Sequence, residues 1–382
     1  MGPLFWLTSR RTAPKMGIIT LMIHDRRPVY PVNLYDTLQL DPAVLKQRIA
    51  HAANTRERRR YQAAMVIRSL LLVLFAIVFI APLNALFGSE NSAMAVAIFC
   101  ILLAVRFVDF NCRVQDALIN LAIVFLLLCF APMLAEQLPL AAEIGVHFAA
   151  LLVILIMTCD RPEMGNGGLY GFAYVFLAGN PVSGTALWAR FLMTCLGFAI
   201  CGAIYFAKHH GKHHKVHFSD QWRHFDLRAH KHQWQVRMAL GISLILAIGA
   251  AVHLERFMWA GFAVSSILAD HRENADIQEK STHRLSGVLA GSLLFYLVYS
   301  LLPPSLYTLL GPLGGFCLGF CTDYRSKTAL NCFGALILAA SIYGLDPSVM
   351  LRLFDTLIGV LFALVFYVLF NRTAARVWPG RS

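Results

Sequence analysis

Charge is what this chain has least of. Only 14% of its 382 residues are Asp, Glu, Lys or Arg and 58% are hydrophobic, whereas an ordinary soluble domain carries about 25% charged residues. No single aqueous core absorbs that much apolar surface, so a soluble globular domain is excluded. Acidic residues are scarce even within this small charged set: 21 against 33 Lys and Arg, a formal net charge of +12. A phosphate-binding glycine loop, a nucleophile elbow and a metal-hydrolase histidine motif are all missing, which leaves an enzyme without support and implies no cofactor. No reading motif accompanies the basic charge, so nucleic acid is not an expected partner. The first 64 residues hold no secretory leader, because the apolar run 16–23 is too short and abuts Arg26 and Arg27.

What the chain does have is apolar runs. A helix of about 20 apolar residues crosses the hydrocarbon layer with every backbone group bonded internally. Twelve stretches qualify as helical spans: 65–87, 93–105, 115–134, 140–159, 167–179 and 185–206, then 237–256, 257–269, 285–302, 304–321, 327–344 and 350–370. The second six repeat landmarks of the first. Arg68 opens the first run and Arg237 the seventh; Ala93–Val105 and Phe257–Ala269 are both unusually short; Arg190 with Gly197 matches Arg352 with Gly359, seven positions apart in each pair. The expected fold is therefore all-α, a polytopic membrane protein of twelve transmembrane helices built as two six-helix repeats, with a pseudo-symmetry axis along the membrane normal and a shared cavity between the halves.

Five segments follow: a basic cytosolic stretch 1–64, a first membrane repeat 65–206, a His-rich linker 207–236, a second membrane repeat 237–370 and a tail 371–382. Lys and Arg concentrate in the terminal and linker segments, so the positive-inside rule puts both termini in the cytosol and the protein in the cell membrane, plasma or inner. Arg256 is expected on the outer side. Most of the net charge is thus a topology signal and a surface for anionic headgroups. Asp41 and Pro42 form a helix cap and first turn, and Val44, Leu45 and Ile49 make a short apolar stripe, read as an interfacial helix leading to Arg56, Arg58, Arg59 and Arg60. None of the nine cysteines falls in an expected external loop, which excludes disulfides, and Cys317 with Cys321 lacks the further ligands of a zinc site. The linker carries His209, His210, His213, His214, His217, His224, His230 and His232. Such spacing can hold a transition metal, but Lys208, Lys212 and Lys215 would repel one, so a solvated basic loop is expected and no metal site.

Inside a bilayer a charge is costly, about 2.5 to 3.5 kcal/mol for a central Arg on insertion scales, and therefore informative. Arg68 and Arg237 lie toward the cytosolic ends of their spans, Arg190 and Arg352 toward the outer ends. Together they would form two positive rings suited to a carboxylate, because guanidinium stays charged and presents a planar fork. Each can also snorkel to water. Asp355, one turn after Arg352, can pair with it, or a proton can compete with the Arg for it and couple anion movement to a proton gradient. His147 is expected to be a helix-packing hydrogen bonder. Gly165, Gly167, Gly168 and Gly171, and Gly311, Gly314, Gly315 and Gly319, serve close packing or a bent helix; the bend is favoured at the fifth span, which Gly179, Asn180 and Pro181 end early. Trp259, in the short eighth span, is a candidate cavity-lining residue.

The second half resembles the membrane domain of the fusaric acid resistance and aromatic acid exporter family. The resemblance is carried by Arg237, by Phe257-Met258-Trp259-Ala260-Gly261, by Arg284-Leu285-Ser286-Gly287 with Gly291, by Tyr324-Arg325-Ser326-Lys327, and by Arg352, Asp355 and Gly359. It covers residues 235–370 and reaches the first half only through the internal repeat. Relatives include exporters of aromatic carboxylates and, more distantly, the aluminium-activated malate transporters, which implies an anion path between two six-helix units. Many relatives carry large cytosolic domains where this chain has a short linker and tail. The expected function is a secondary, proton-coupled exporter of small organic or aromatic carboxylates; the rivals are an anion channel and a non-transporting scaffold or sensor working through the linker. Expected partners are a small anionic substrate and the lipid bilayer, with homo-oligomerisation left open.

Overall fold

The computed structural model describes residues 34–164, 166–213, 215–272 and 276–378; the 16–23 run, Gly165 and His214 lie outside them. Every regular element among the described residues is helical. Two short helices, α1 (Leu34–Leu38) and α2 (Pro42–Ala50), precede α3 (Thr55–Phe87), α4 (Ser92–Val105), α5 (Val114–Glu136), α6 (Leu140–Thr158), α7 (Asn166–Ala178) and α8 (Gly184–His209). A short α9 (Phe218–Arg223) lies in the linker, and α10 (His230–Ala251), α11 (Phe257–Leu268), α12 (Ile277–Leu301), α13 (Leu310–Leu318), α14 (Tyr324–Tyr343) and α15 (Leu345–Val377) follow.

Local signals explain the boundaries. Asp41 Oδ1 accepts from the Ala43 N–H at 2.8 Å with Pro42 in the first turn, so α2 starts where its cap dictates. Its stripe turns onto α3, with Leu45 fully buried. Asn54 caps α3 through Glu57 N–H at 2.8 Å, and α3 ends at Gly88, whose φ of +89° suits a residue without Cβ. Each of the twelve apolar stretches contains a helix. Seven of these helices, α3, α5, α6, α8, α10, α12 and α15, are long and apolar enough to cross a membrane, while α4 and α11 are shorter apolar helices.

The broken stretch is the tenth, not the fifth. Pro303 and Pro304 stop α12, the chain makes a 3-10 turn over Pro304–Leu309, and the glycine-rich α13 is only 9 residues long. The fifth stretch forms a continuous α7 whose glycines serve packing: a Cβ on Gly167 would strike Trp234 at 2.7 Å, and one on Gly171 would strike Ser265 at 2.5 Å.

Within the first six, α4 packs on α8, α5 on α8 and α3 on α4; within the second six, α11 packs on α15, α12 on α15 and α10 on α11. Across the sets α6 lies on α10, α7 on α11 and α13 on α3. The core is apolar and continuous through both sets. Leu70, Leu74 and Val78 of α3, Leu289, Leu293 and Leu297 of α12, and Leu357, Leu361 and Val365 of α15 stay exposed, as faces turned to hydrocarbon would.

Two crossings are backbone-close because glycine permits it. A Cβ on Gly359 of α15 would meet the Ala260 carbonyl of α11 at 2.4 Å, and one on Gly291 of α12 would meet the Ala329 carbonyl of α14 at 2.2 Å. We predict that Gly359→Ala and Gly291→Ala each lose about 1–3 kcal/mol to overpacking, measured by unfolding in detergent micelles. Gly334→Ala, with nothing within 4 Å of the new Cβ, should be unchanged; equal stability of all three would contradict the close crossings.

Candidate functional site

The crossing of α11 and α15 sets the geometry of the site. Arg352 stands two turns before Gly359 on the same face of α15, so the contact at Ala260 brings it to Trp259 of α11. The Arg352 guanidinium lies 5.0 Å from the Trp259 ring centroid. That of Arg256, at the start of α11, lies 5.9 Å from the same ring and 5.1 Å from that of Tyr343. A buried indole is thus flanked by two cations, an arrangement worth about 0.5–2 kcal/mol per pair and too little to offset burying a guanidinium.

Arg352 is 3% exposed, and no protein group accepts from its Nε or Nη1. One turn on, Asp355 is 1% exposed with Oδ2 unpartnered, and the neighbouring Thr356 Oγ1 is also unbonded. Arg352 and Asp355 form no ion pair. From α12, Arg284 is 7% exposed with Nε unpartnered, and Ser281 on the same face buries an unbonded hydroxyl. Buried polar atoms in folded proteins are nearly always satisfied, so their concentration between α11, α12 and α15 marks a place made for something polar. Beside it, a cavity of about 240 Å³ is lined by Gly179 at the end of α7 and by Glu255, Arg256, Phe257, Met258 and Tyr343.

The other expected arginines stand elsewhere. Arg190 is fully buried and engaged: Nε donates to Asn91 Oδ1 at 3.0 Å and Nη2 to the Asn180 carbonyl at 2.8 Å, tying α8 to the segments before α4 and after α7. Arg237 donates to Asn371 Oδ1 at 3.2 Å and to the Asp270 carbonyl at 3.3 Å, and covers Tyr367 at 4.6 Å. Arg68 is half-buried on α3, with Asp41 the nearest carboxylate influence. Only Arg352, Asp355 and Trp259 of the expected set come together. His147 Nδ1 lies 2.9 Å from Tyr174 OH, joining α6 to α7.

Sequence reasoning missed Arg284 and Arg256 as site residues. The ninth span was expected to start at 285, which left Arg284 in a loop; α12 instead starts at Ile277, capped by Asp276 through Glu279 N–H at 2.7 Å, and Arg284 is two turns inside it. The cap followed by a helix-compatible run was the available signal.

The linker is fastened to the first half rather than solvated throughout. His213 Nε2 sits 3.2 Å from Asp109 Oδ1, His217 Nδ1 3.5 Å from Asp116 Oδ2, and Gln221 Nε2 donates to the Phe110 carbonyl at 2.7 Å. Lys231 Nζ and Asn111 Nδ2 both donate to Asp160 at 2.6 Å. Burial alone would raise the Asp160 pKa, but these two donors and the Lys231 charge outweigh it and hold the carboxyl below its usual value of 3.8. A carboxylate depressed in the fold adds stability above its ordinary pKa that is lost as pH falls through the folded value. Asp160→Asn should therefore cost about 1–2 kcal/mol at neutral pH, with the gap to wild type closing below pH of about 4 in thermal unfolding; a pH-independent gap would contradict the pairing.

Residues 243–366 match the family model described as "Fusaric acid resistance protein-like". No curated protein and no solved structure matches the chain.

Proposed function

We propose that this chain, whose second half carries a domain of the fusaric acid resistance protein-like family, is a membrane carrier that exports small organic or aromatic carboxylates. The observation that carries this reading is the pair of unpartnered nitrogens on buried Arg352, lying against Trp259, which follows the cavity-lining Phe257 and Met258 in α11. An unpaired guanidinium in a low-dielectric interior costs several kcal/mol, and a carboxylate offsets that by charge-assisted N–H···O bonds. Tyr343 lines the cavity and offers an aromatic edge to an aromatic substrate, while Arg256 beside it supplies a cation on the anion's way out.

Asp355 is the proton-coupling group in this reading. Its Oδ2 has no donor and it makes no ion pair with Arg352, so a proton can neutralise it when an anion binds beside it and leave when the anion departs and the Arg352 charge is bare again. Trp259, 1% exposed between the cavity and Arg352, favours a carrier over a channel, since a standing pore would not be filled by an indole. Arg190 and Arg237, bonded by neighbouring segments, fasten helix ends, and Arg68 is left to the lipid boundary or the cytosolic mouth.

The matched packing of α4 on α8 and α11 on α15, and the exchange of α6 onto α10 and α13 onto α3, support a duplicated architecture whose halves rock against each other. The basic linker and terminal segments support a cytosolic linker and cytosolic termini in the cell membrane. In proteoliposomes, Arg352→Ala should cut benzoate flux at least about tenfold, in keeping with the loss of a charged hydrogen bond of about 1.5–3 kcal/mol. Asp355→Asn should leave flux that no longer responds to a pH gradient. Equal flux in wild type and Arg352→Ala would remove the site, and retained pH coupling in Asp355→Asn would remove the proton role.

A further inference from the structure

We infer that Arg284 is a second anion-binding station in series with Arg352, so that the anion path runs through the second helical set between α11, α12 and α15 rather than along a seam shared equally by both sets. This rests on the carrier reading above.

The two arginines approach each other from opposite ends of the fold. Arg352 is two turns from the start of α15, on the end where Glu255, Arg256 and Tyr343 line the cavity. Arg284 is two turns from the start of α12, which follows the loop at the opposite, linker-side end, where the Trp234 indole N–H donates to the Leu268 carbonyl at 3.0 Å. They meet near Cys332 of α14. Its thiol faces both the Val288 carbonyl, one turn beyond Arg284 on α12, and the Arg352 guanidinium, and Arg284 is within electrostatic reach of Arg352. Two buried cations share one nearby carboxylate, Asp355, which leaves a net positive charge among them, and each keeps at least one nitrogen free. Desolvated like charges are stable together only where a counter-charge visits. Ser281, one turn before Arg284 with its hydroxyl unbonded and 2% exposed, adds a neutral donor on the linker side.

The first set lacks the means to do the same. Its arginine with a following glycine, Arg190, is saturated by Asn91 and the Asn180 carbonyl. The facing helix α5 offers Leu121 and Asn120 in its second turn and no cation there. One half therefore supplies the path and the other supports it. An anion entering from the linker side would exchange Arg284 for Arg352 before release past Arg256, with neither site deep enough to trap it, as multi-site conduction requires.

The test uses the full chain in proteoliposomes with labelled benzoate applied separately from each side, comparing wild type, Arg284→Gln, Arg284→Lys and Arg352→Gln, with thermal unfolding recorded for each. In series, Arg284→Gln should raise the half-saturating benzoate concentration at the linker side by about tenfold or more while leaving the cavity-side value within about twofold. Arg284→Lys should recover only part of the affinity, staying weaker than wild type at the linker side alone, and Arg352→Gln should show the opposite asymmetry. A packing role for Arg284 would instead lower stability and maximal flux equally from both sides, and that result overturns the inference. So does an unchanged linker-side affinity in Arg284→Gln. If that variant does not fold, Arg284→Lys decides alone, because a shortened cation should still weaken the linker side selectively. The two readings fail separately: wild type that moves no benzoate or other carboxylate removes the carrier, whereas wild-type flux that needs Arg352 but not Arg284 removes only the second station.

Discussion

A buried guanidinium with two unpartnered nitrogens is the constraint around which the second helical set is arranged. Arg352 cannot shed its charge, cannot reach solvent at 3% exposure, and finds no carboxylate within ion-pair distance although Asp355 stands one turn away. The indole at 5.0 Å gives partial compensation. Natural folds rarely leave such a group unsatisfied unless it is used, and the same helices bury further unbonded donors on Arg284, Ser281 and Thr356.

Packing explains how the cation is held there. The approach of α15 to α11 requires a residue without a side chain at Gly359, and the approach of α12 to α14 requires one at Gly291. These crossings fix the faces of four helices, so the polar groups they carry cannot rotate toward lipid. Elsewhere the same kind of residue is held by structure: Arg190 spends its donors on an asparagine and a backbone carbonyl, and Arg237 spends Nη1 and Nη2 on Asn371 and the Asp270 carbonyl, with Nε left unpartnered. Whether a buried arginine acts as a fastener or as a binding group is decided by its acceptors, not by its depth.

That distinction limits what could be read from the chain alone. Apolar run lengths and caps located the helices, since span length and the Asp41 and Asn54 caps are local properties. The pair Arg352 and Trp259 could be marked because a charge and a short aromatic span stand out in an apolar background. The acceptors of Arg190 could not, because Asn91 and Asn180 come from other segments and no pattern links them. Arg284 was hidden by a span boundary set from apolarity, which starts a helix where its side chains turn greasy rather than where its hydrogen bonds begin. The bend belongs to the tenth stretch: the early stop at Gly179, Asn180 and Pro181 points to the fifth, whereas paired prolines at 303 and 304 decide the backbone.

The central claim is that Arg352 and Trp259 receive a carboxylate, and a direct measurement is a structure determined with 4-bromobenzoate, locating bromine by its anomalous signal. The account predicts a bromine peak near the Trp259 ring with the carboxylate hydrogen-bonded to the Arg352 guanidinium nitrogens. A structure in which those nitrogens are bonded by protein groups, with no peak between α11, α12 and α15 at saturating ligand, would contradict it.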